Sequence, residues 1–89
     1  MITENDKIRI VELSKKYGAK RVLLFGSAAR PTGQVKDIDL AVEGLAADLF
    51  FKFYGELISD LSKPVDLIDL GRKTMFTNLV SKEGIPLYG

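Results

Sequence analysis

The stretch "LLFGSAARPTGQVKDIDLAV", residues 23–42, decides how this chain is read. An apolar run ends in Gly26-Ser27, nine residues of loop follow, and Asp37 and Asp39 then sit one residue apart in a second apolar run. Alternate residues of a strand share a face, so Asp37 and Asp39 point one way while Ile38, Leu40 and Val42 point the other, toward a core. Two carboxylates about 7 Å apart along a strand repel each other, and Asp is depleted in strands. A divalent cation between them makes the pair favourable. The competing reading is two solvated carboxylates on an open sheet face.

Working outward, "RVLLF" (21–25) is continuously apolar and reads as a strand covered on both faces. Residues 27–36 hold Pro31 and Gly33 and form a loop. The spacing of Ile10, Leu13 and Tyr17 predicts a helix over about 4–17, with Thr3 and Asp6 as its N-terminal signal and Gly18 as its stop. "DLFFKFYGELISDLS" (48–62) is the clearest helix: Leu49, Phe50, Phe53, Tyr54, Leu57, Ile58 and Leu61 share one broad face, and Pro64 follows. "VDLIDL" (65–70) is a third strand. "RKTMFTNLVSKE" (72–83) is a helix with Met75, Phe76, Leu79 and Val80 inward and Gly84 as its cap. "IPLY" (85–88) is a short strand that Pro86 confines to an edge. The order α-β-β-α-β-α-β predicts an α+β domain in which helices pack on one face of a small mixed β-sheet. Strands 1 and 2 are expected antiparallel, with strand 3 beside strand 2.

Composition narrows the chemistry. Eighty-nine residues, 46% of them apolar, make one domain, 1–89, with no linker or repeat. A net charge of +1 argues against direct nucleic-acid binding. The chain has no cysteine and no histidine. That removes thiol chemistry, zinc–thiolate sites and the commonest general base, and leaves oxygen ligands for any metal. No apolar run is long enough for a membrane span, and the polar start "MITENDKIRI" is unlike a signal peptide, so a cytoplasmic location is the expectation.

The third carboxylate is Asp66 or Asp69, which point to opposite faces and cannot serve one site. Asp66 lies inside strand 3, whereas Asp69 lies near its end, where a capping or solvated role is easier; position favours Asp66. Gly-Ser after a strand turns the backbone sharply and frees N–H groups for an anion. Arg30 and Lys36 flank that loop and can meet phosphate oxygens, although surface charge is the plainer reading of Lys36. An anion loop, two carboxylates on the next strand and a third on the following one suit the holding of a metal-bound triphosphate for in-line attack at phosphorus. Two Mg²⁺ ions about 3.5–4 Å apart serve such a displacement.

Gly-Ser, nine residues, Asp-x-Asp and a later strand Asp together resemble the DNA polymerase β-type nucleotidyltransferase superfamily, and most closely its minimal nucleotidyltransferases. The resemblance runs through "LLFGSAAR", "DIDLAV", "VDLIDL" and "EGIPLY", nearly the whole chain. It implies the nucleotidyltransferase fold. Gly26 and Ser27 then bind the nucleotide triphosphate, ATP, with Arg30 matching the family's frequent arginine. Asp37 and Asp39 become ligands of Mg²⁺, and Asp66 the third carboxylate, which helps deprotonate the attacking hydroxyl. Pro31 stands where a glycine is frequent and Lys36 where a serine is frequent; neither removes a ligand. The resemblance also implies a partner, a helical HEPN-domain toxin, with the nucleotidyltransferase as antitoxin transferring AMP to a tyrosine of the toxin. Neutralisation by complex formation alone, and nucleotidyl transfer to a small hydroxylated molecule, are the alternatives. The wide apolar face of helix 2, with Phe51 at its edge and partly exposed, leads to the further expectation of self-association or a complex with that toxin.

Overall fold

The computed structural model describes residues 2–31 and 33–89. The elements follow the expected order: α1 (Glu4–Tyr17), β1 (Arg21–Phe25), a 3-10 turn (Gly26–Ala29), β2 (Ile38–Glu43), α2 (Ala47–Asp60), β3 (Val65–Asp69), α3 (Met75–Glu83) and β4 (Ile85–Tyr88). α1 begins where Thr3 accepts the Asp6 N–H at 3.1 Å and ends at Gly18, whose φ of 72° is left-handed. The Asp6 carboxylate is buried and accepts from the backbone N–H of Ser62, at 3.1 Å, and from its hydroxyl. This ties the start of α1 to the turn that follows α2.

The sheet has the order β3-β2-β1-β4. β1 runs antiparallel to β2 and to β4, and β2 runs parallel to β3. Strands 1 to 3 therefore pair as the sequence predicts, and Pro86 lies on the outer strand, where its missing N–H breaks no inner ladder. Val22, Leu24, Ile38, Leu40, Val42, Val65 and Leu67 point to one face and close a core with Ile10 and Leu13 of α1 and Phe53 and Leu57 of α2.

α3 is where the structure departs from expectation. It lies across the opposite face, packing Val80 on Leu23, Ala41 and Leu70, so two helices cover one side and the third covers part of the other. The reason is in β1: three successive buried residues, Val22, Leu23 and Leu24, make both faces of the strand apolar, and Leu23 needs a cover of its own. The inward side of α3 differs as well. Thr77 and Val80 are buried, while Met75, Phe76 and Leu79 are 91%, 54% and 51% exposed. Thr77 tolerates burial because it is fully engaged. Its N–H donates to Thr74 Oγ1 at 3.1 Å, its Oγ1 accepts the Thr74 N–H at 2.9 Å, and its hydroxyl donates to the Arg72 carbonyl. This capping box starts the helix at Met75, later than the expected residue 72. Gly84 caps the helix as expected, its N–H donating to the Val80 carbonyl at 2.7 Å, but with φ −63°; a Cβ there would lie 2.7 Å from the Val80 carbonyl oxygen and 3.0 Å from Leu23 Cβ, so its smallness lets the chain pass close under α3. On α2, Ile58 turns outward against expectation, and Phe51 is 71% exposed, in line with its place at the edge of the stripe.

Candidate active site

The half of the sheet face that α3 leaves uncovered carries the aspartates. Asp39 of β2 stands opposite Phe25 of β1 and opposite Asp66 of β3. Neighbours on either side of each, Ile38 and Leu40, Val65 and Leu67, belong to the core under α1 and α2, so both carboxylates emerge on the other face. Asp37 precedes β2 by one residue. Asp37 and Asp66 are exposed and Asp39 is half-buried. Burial raises the Asp39 carboxyl above its usual range, and the negative charges of Asp66 and then Asp37 push it the same way. Asp69 does not join them: it pairs in register with Val42, and its Oδ1 accepts the Gly71 N–H at 2.8 Å in the turn after β3. That is the turn-capping role its sequence position suggests.

Gly26 is fixed by contact. It has φ +69°, and a Cβ built on it would fall 2.1 Å from Asp39 Oδ2. The backbone of the Gly-Ser turn is thus pressed against the Asp39 carboxylate, and no other residue leaves both in place. Beyond Gly26 the chain makes one 3-10 turn, with Ala28 buried and the Arg30 N–H donating to the Ser27 carbonyl at 3.2 Å. Ser27 is half-buried on this turn. Arg30 and Lys36 are exposed and form no ion pair among the described residues.

The donor set suits a hard divalent cation. It is all carboxylate oxygen, and the repulsion that raises Asp39 is what a cation would relieve. Among the described residues no three acidic side chains stand close enough to enclose one ion by themselves. Mg²⁺ does not require that, since it takes one or two protein carboxylates and completes its shell with water and phosphate oxygens.

Two grooves meet at Phe76. A smaller one, of about 230 Å³, runs beside Gly26 between Phe25, Ala29, Phe76, Leu79 and Glu83. A larger one, of about 490 Å³, lies past the C-terminal end of β3, lined by Phe50, Phe51, Ile68, Asp69, Arg72 and Phe76. Phe76 borders both and meets Phe25 edge to face at 5.9 Å. Helical periodicity placed Phe76 and Leu79 in the core and so concealed this surface. The Thr74–Thr77 spacing, a capping signal, was the feature able to reveal it.

The model of the polymerase β nucleotidyltransferase family matches residues 7–89. The chain belongs to that family. No curated protein matches this nucleotidyltransferase in sequence. Among solved structures it is 28% identical to a toxin–antitoxin complex with AMP-PNP, over 98% of this chain and 74% of that one, with a TM-score of 0.75. It is 27% identical to a chain in the structure of a tri-AMPylated Shewanella oneidensis HEPN toxin in complex with its MNT antitoxin, over 94% and 70% of the two chains, at TM-score 0.71. A third neighbour, described as a minimal nucleotidyltransferase, is 28% identical over 90% of this chain and 87% of the other, at TM-score 0.72.

Proposed function

We propose that this nucleotidyltransferase moves AMP from ATP onto a tyrosine hydroxyl of a helical HEPN-type toxin, depends on Mg²⁺, and acts in this way as an antitoxin. The observation that carries the reading is the register of β2 and β3, which sets Asp39 beside Asp66 on a face that α3 leaves open, with Gly26 packed on the Asp39 carboxylate. Similarity to a toxin–antitoxin complex with AMP-PNP and to one with an AMPylated HEPN toxin supports the donor and the acceptor.

In this reading Gly26 and Ser27 present backbone N–H groups to the triphosphate, and Arg30 meets its oxygens. Asp37 and Asp39, with Asp66, would hold the metal. When bound, Mg²⁺ supplies neutralisation of the phosphate charge and of the leaving pyrophosphate. The tyrosine oxygen bonds to the α-phosphorus, the bond from that phosphorus to the bridging oxygen breaks, and pyrophosphate leaves. Asp66 accepts the tyrosine proton. The carboxylate face stands open to an acceptor carried on another protein, and the exposed side chains of Phe51, Met75, Phe76 and Leu79 offer such a protein an apolar surface. No helix is long and apolar enough to cross a membrane.

The test is incubation of the purified chain with α-labelled ATP, Mg²⁺ and the product of a HEPN-domain gene encoded beside it. Label on a tyrosine of that product, lost with Asp39→Asn and with Asp66→Asn, is the expected result. A stable complex that acquires no label would support neutralisation by binding alone, and label on a small hydroxylated compound would move the acceptor to that class.

A further inference from the structure

The outer side of α1 takes no part in the candidate site. Glu4, Lys7, Ile8, Val11, Glu12 and Lys15 line a shallow groove along it. Their spacing puts them on one helical face, across from the side that buries Asp6, Ile10, Leu13 and Ser14. Ile8 is 50% exposed at the middle of the stripe. Glu4 and Lys15 stand at its two ends and form no ion pair among the described residues. At about 1.5 Å per residue they are roughly 16 Å apart and cannot meet within one helix.

We propose that this face docks on the same face of a second copy of the chain, antiparallel about a two-fold axis. An axis level with the peptide between Arg9 and Ile10 sets Ile8 beside Val11 of the partner subunit and Glu4 against Lys15 of the partner subunit. Symmetry repeats both contacts. Four aliphatic side chains then fill the middle and two opposite-charge pairs close the ends. A parallel arrangement would set Glu4 on its own counterpart and Lys15 on its own, so the two charges that face the seam directly select the antiparallel one. Lys7 and Glu12 lie on opposite flanks, where the two-fold brings each toward its own counterpart; this repulsion keeps the dimer weak, and Arg9, 3.7 Å from Glu12 of its own chain, offsets part of it. α1 covers the sheet face opposite to Asp39 and Asp66, so the two copies carry their candidate sites outward and unobstructed. One helix pair is a small interface, below about 1,200 Å², and the dimer is accordingly weak and concentration-dependent. The inference is independent of nucleotidyl transfer.

Sedimentation velocity between about 10 and 500 µM, a range set by micromolar-to-submillimolar affinity, tests it. The expected result is a rise in average mass toward a dimer. Glu4→Lys and Lys15→Glu each oppose like charges and should weaken association about tenfold. The double variant should return to the wild-type constant, and mixing the two single variants should restore the dimer, a recovery that damage to the helix cannot produce. A monomer at every concentration, a dimer indifferent to both reversals, or single variants that stay monomeric when mixed would overturn the proposal.

Discussion

Replacing Gly26 by alanine probes the contact on which the candidate site turns. The new Cβ would lie 2.1 Å from Asp39 Oδ2 and 3.0 Å from its Cγ, so the carboxylate must withdraw by about 1 Å or more to reach ordinary contact. The left-handed backbone, φ +69°, costs an alanine about 1–2 kcal/mol. Driving Asp39 off its rotamer adds about 0.5–1.5 kcal/mol, and the stiffer unfolded chain returns about 0.4–1 kcal/mol. The net loss is about 1–2 kcal/mol, or roughly 5–15 °C in melting temperature for a domain of this size. Transfer should fall further than stability does, by about 10²-fold, because a 1 Å displacement of a positioned group is enough for that. Thermal melts followed by circular dichroism, alongside label transfer at a temperature where both proteins are folded, separate the two effects. In an Asp39→Ala background the carboxylate is gone, and the melting penalty of Gly26→Ala should shrink to the backbone part, about 1 kcal/mol. Equal penalties in the two backgrounds, or a Gly26→Ala protein with wild-type melting and transfer, would refute the contact and with it the geometry of the site.

Asp39→Asn should abolish transfer while leaving the metal-free fold as stable or more so. A carboxyl raised in the folded state withdraws stability as pH climbs from its unfolded value through the folded one, so the gain from Asn should be larger at pH 7 than at pH 4 in denaturant unfolding with chelator present. Millimolar Mg²⁺ should raise the melting temperature of the wild type and leave that of Asp39→Asn nearly unchanged, since a ligand at about 100 times its dissociation constant adds about 2.7 kcal/mol. Asp6→Ala leaves the Ser62 N–H without its acceptor; a loss of about 1–3 kcal/mol in unfolding, with transfer per folded molecule unchanged, is expected. Met75→Asp should weaken co-purification with the acceptor protein about tenfold or more, as loss of a central apolar contact does, without lowering the melting temperature, because Met75 is 91% exposed.

What the sequence determined by itself was local. α1 spans Glu4–Tyr17 as its periodicity predicts, because its start and stop depend on neighbours in the chain: Thr3 capping Asp6 and Gly18 turning left-handed. The period of two in β2 was enough to send Asp39 away from Ile38 and Leu40, and the place of Asp69 at a strand end was enough to give it to the turn. Tertiary structure decided what depends on residues far apart in sequence. Only the parallel register of β2 and β3 puts Asp66 beside Asp39, and only the return of the chain past β1 presses Gly26 onto that carboxylate. The side of the sheet taken by α3 was decided likewise. Helical spacing alone favoured Met75, Phe76 and Leu79 as the buried side, but burial goes to whichever face meets Leu23 and Ala41, and the Thr74–Thr77 hydrogen bonds allow a polar residue to sit there at no cost in unpaired groups. An amphipathic pattern specifies that a helix has a buried side. Which side meets the sheet is settled by the strand surface that awaits it, and here that choice left three large apolar side chains of α3 facing solvent next to the aspartates.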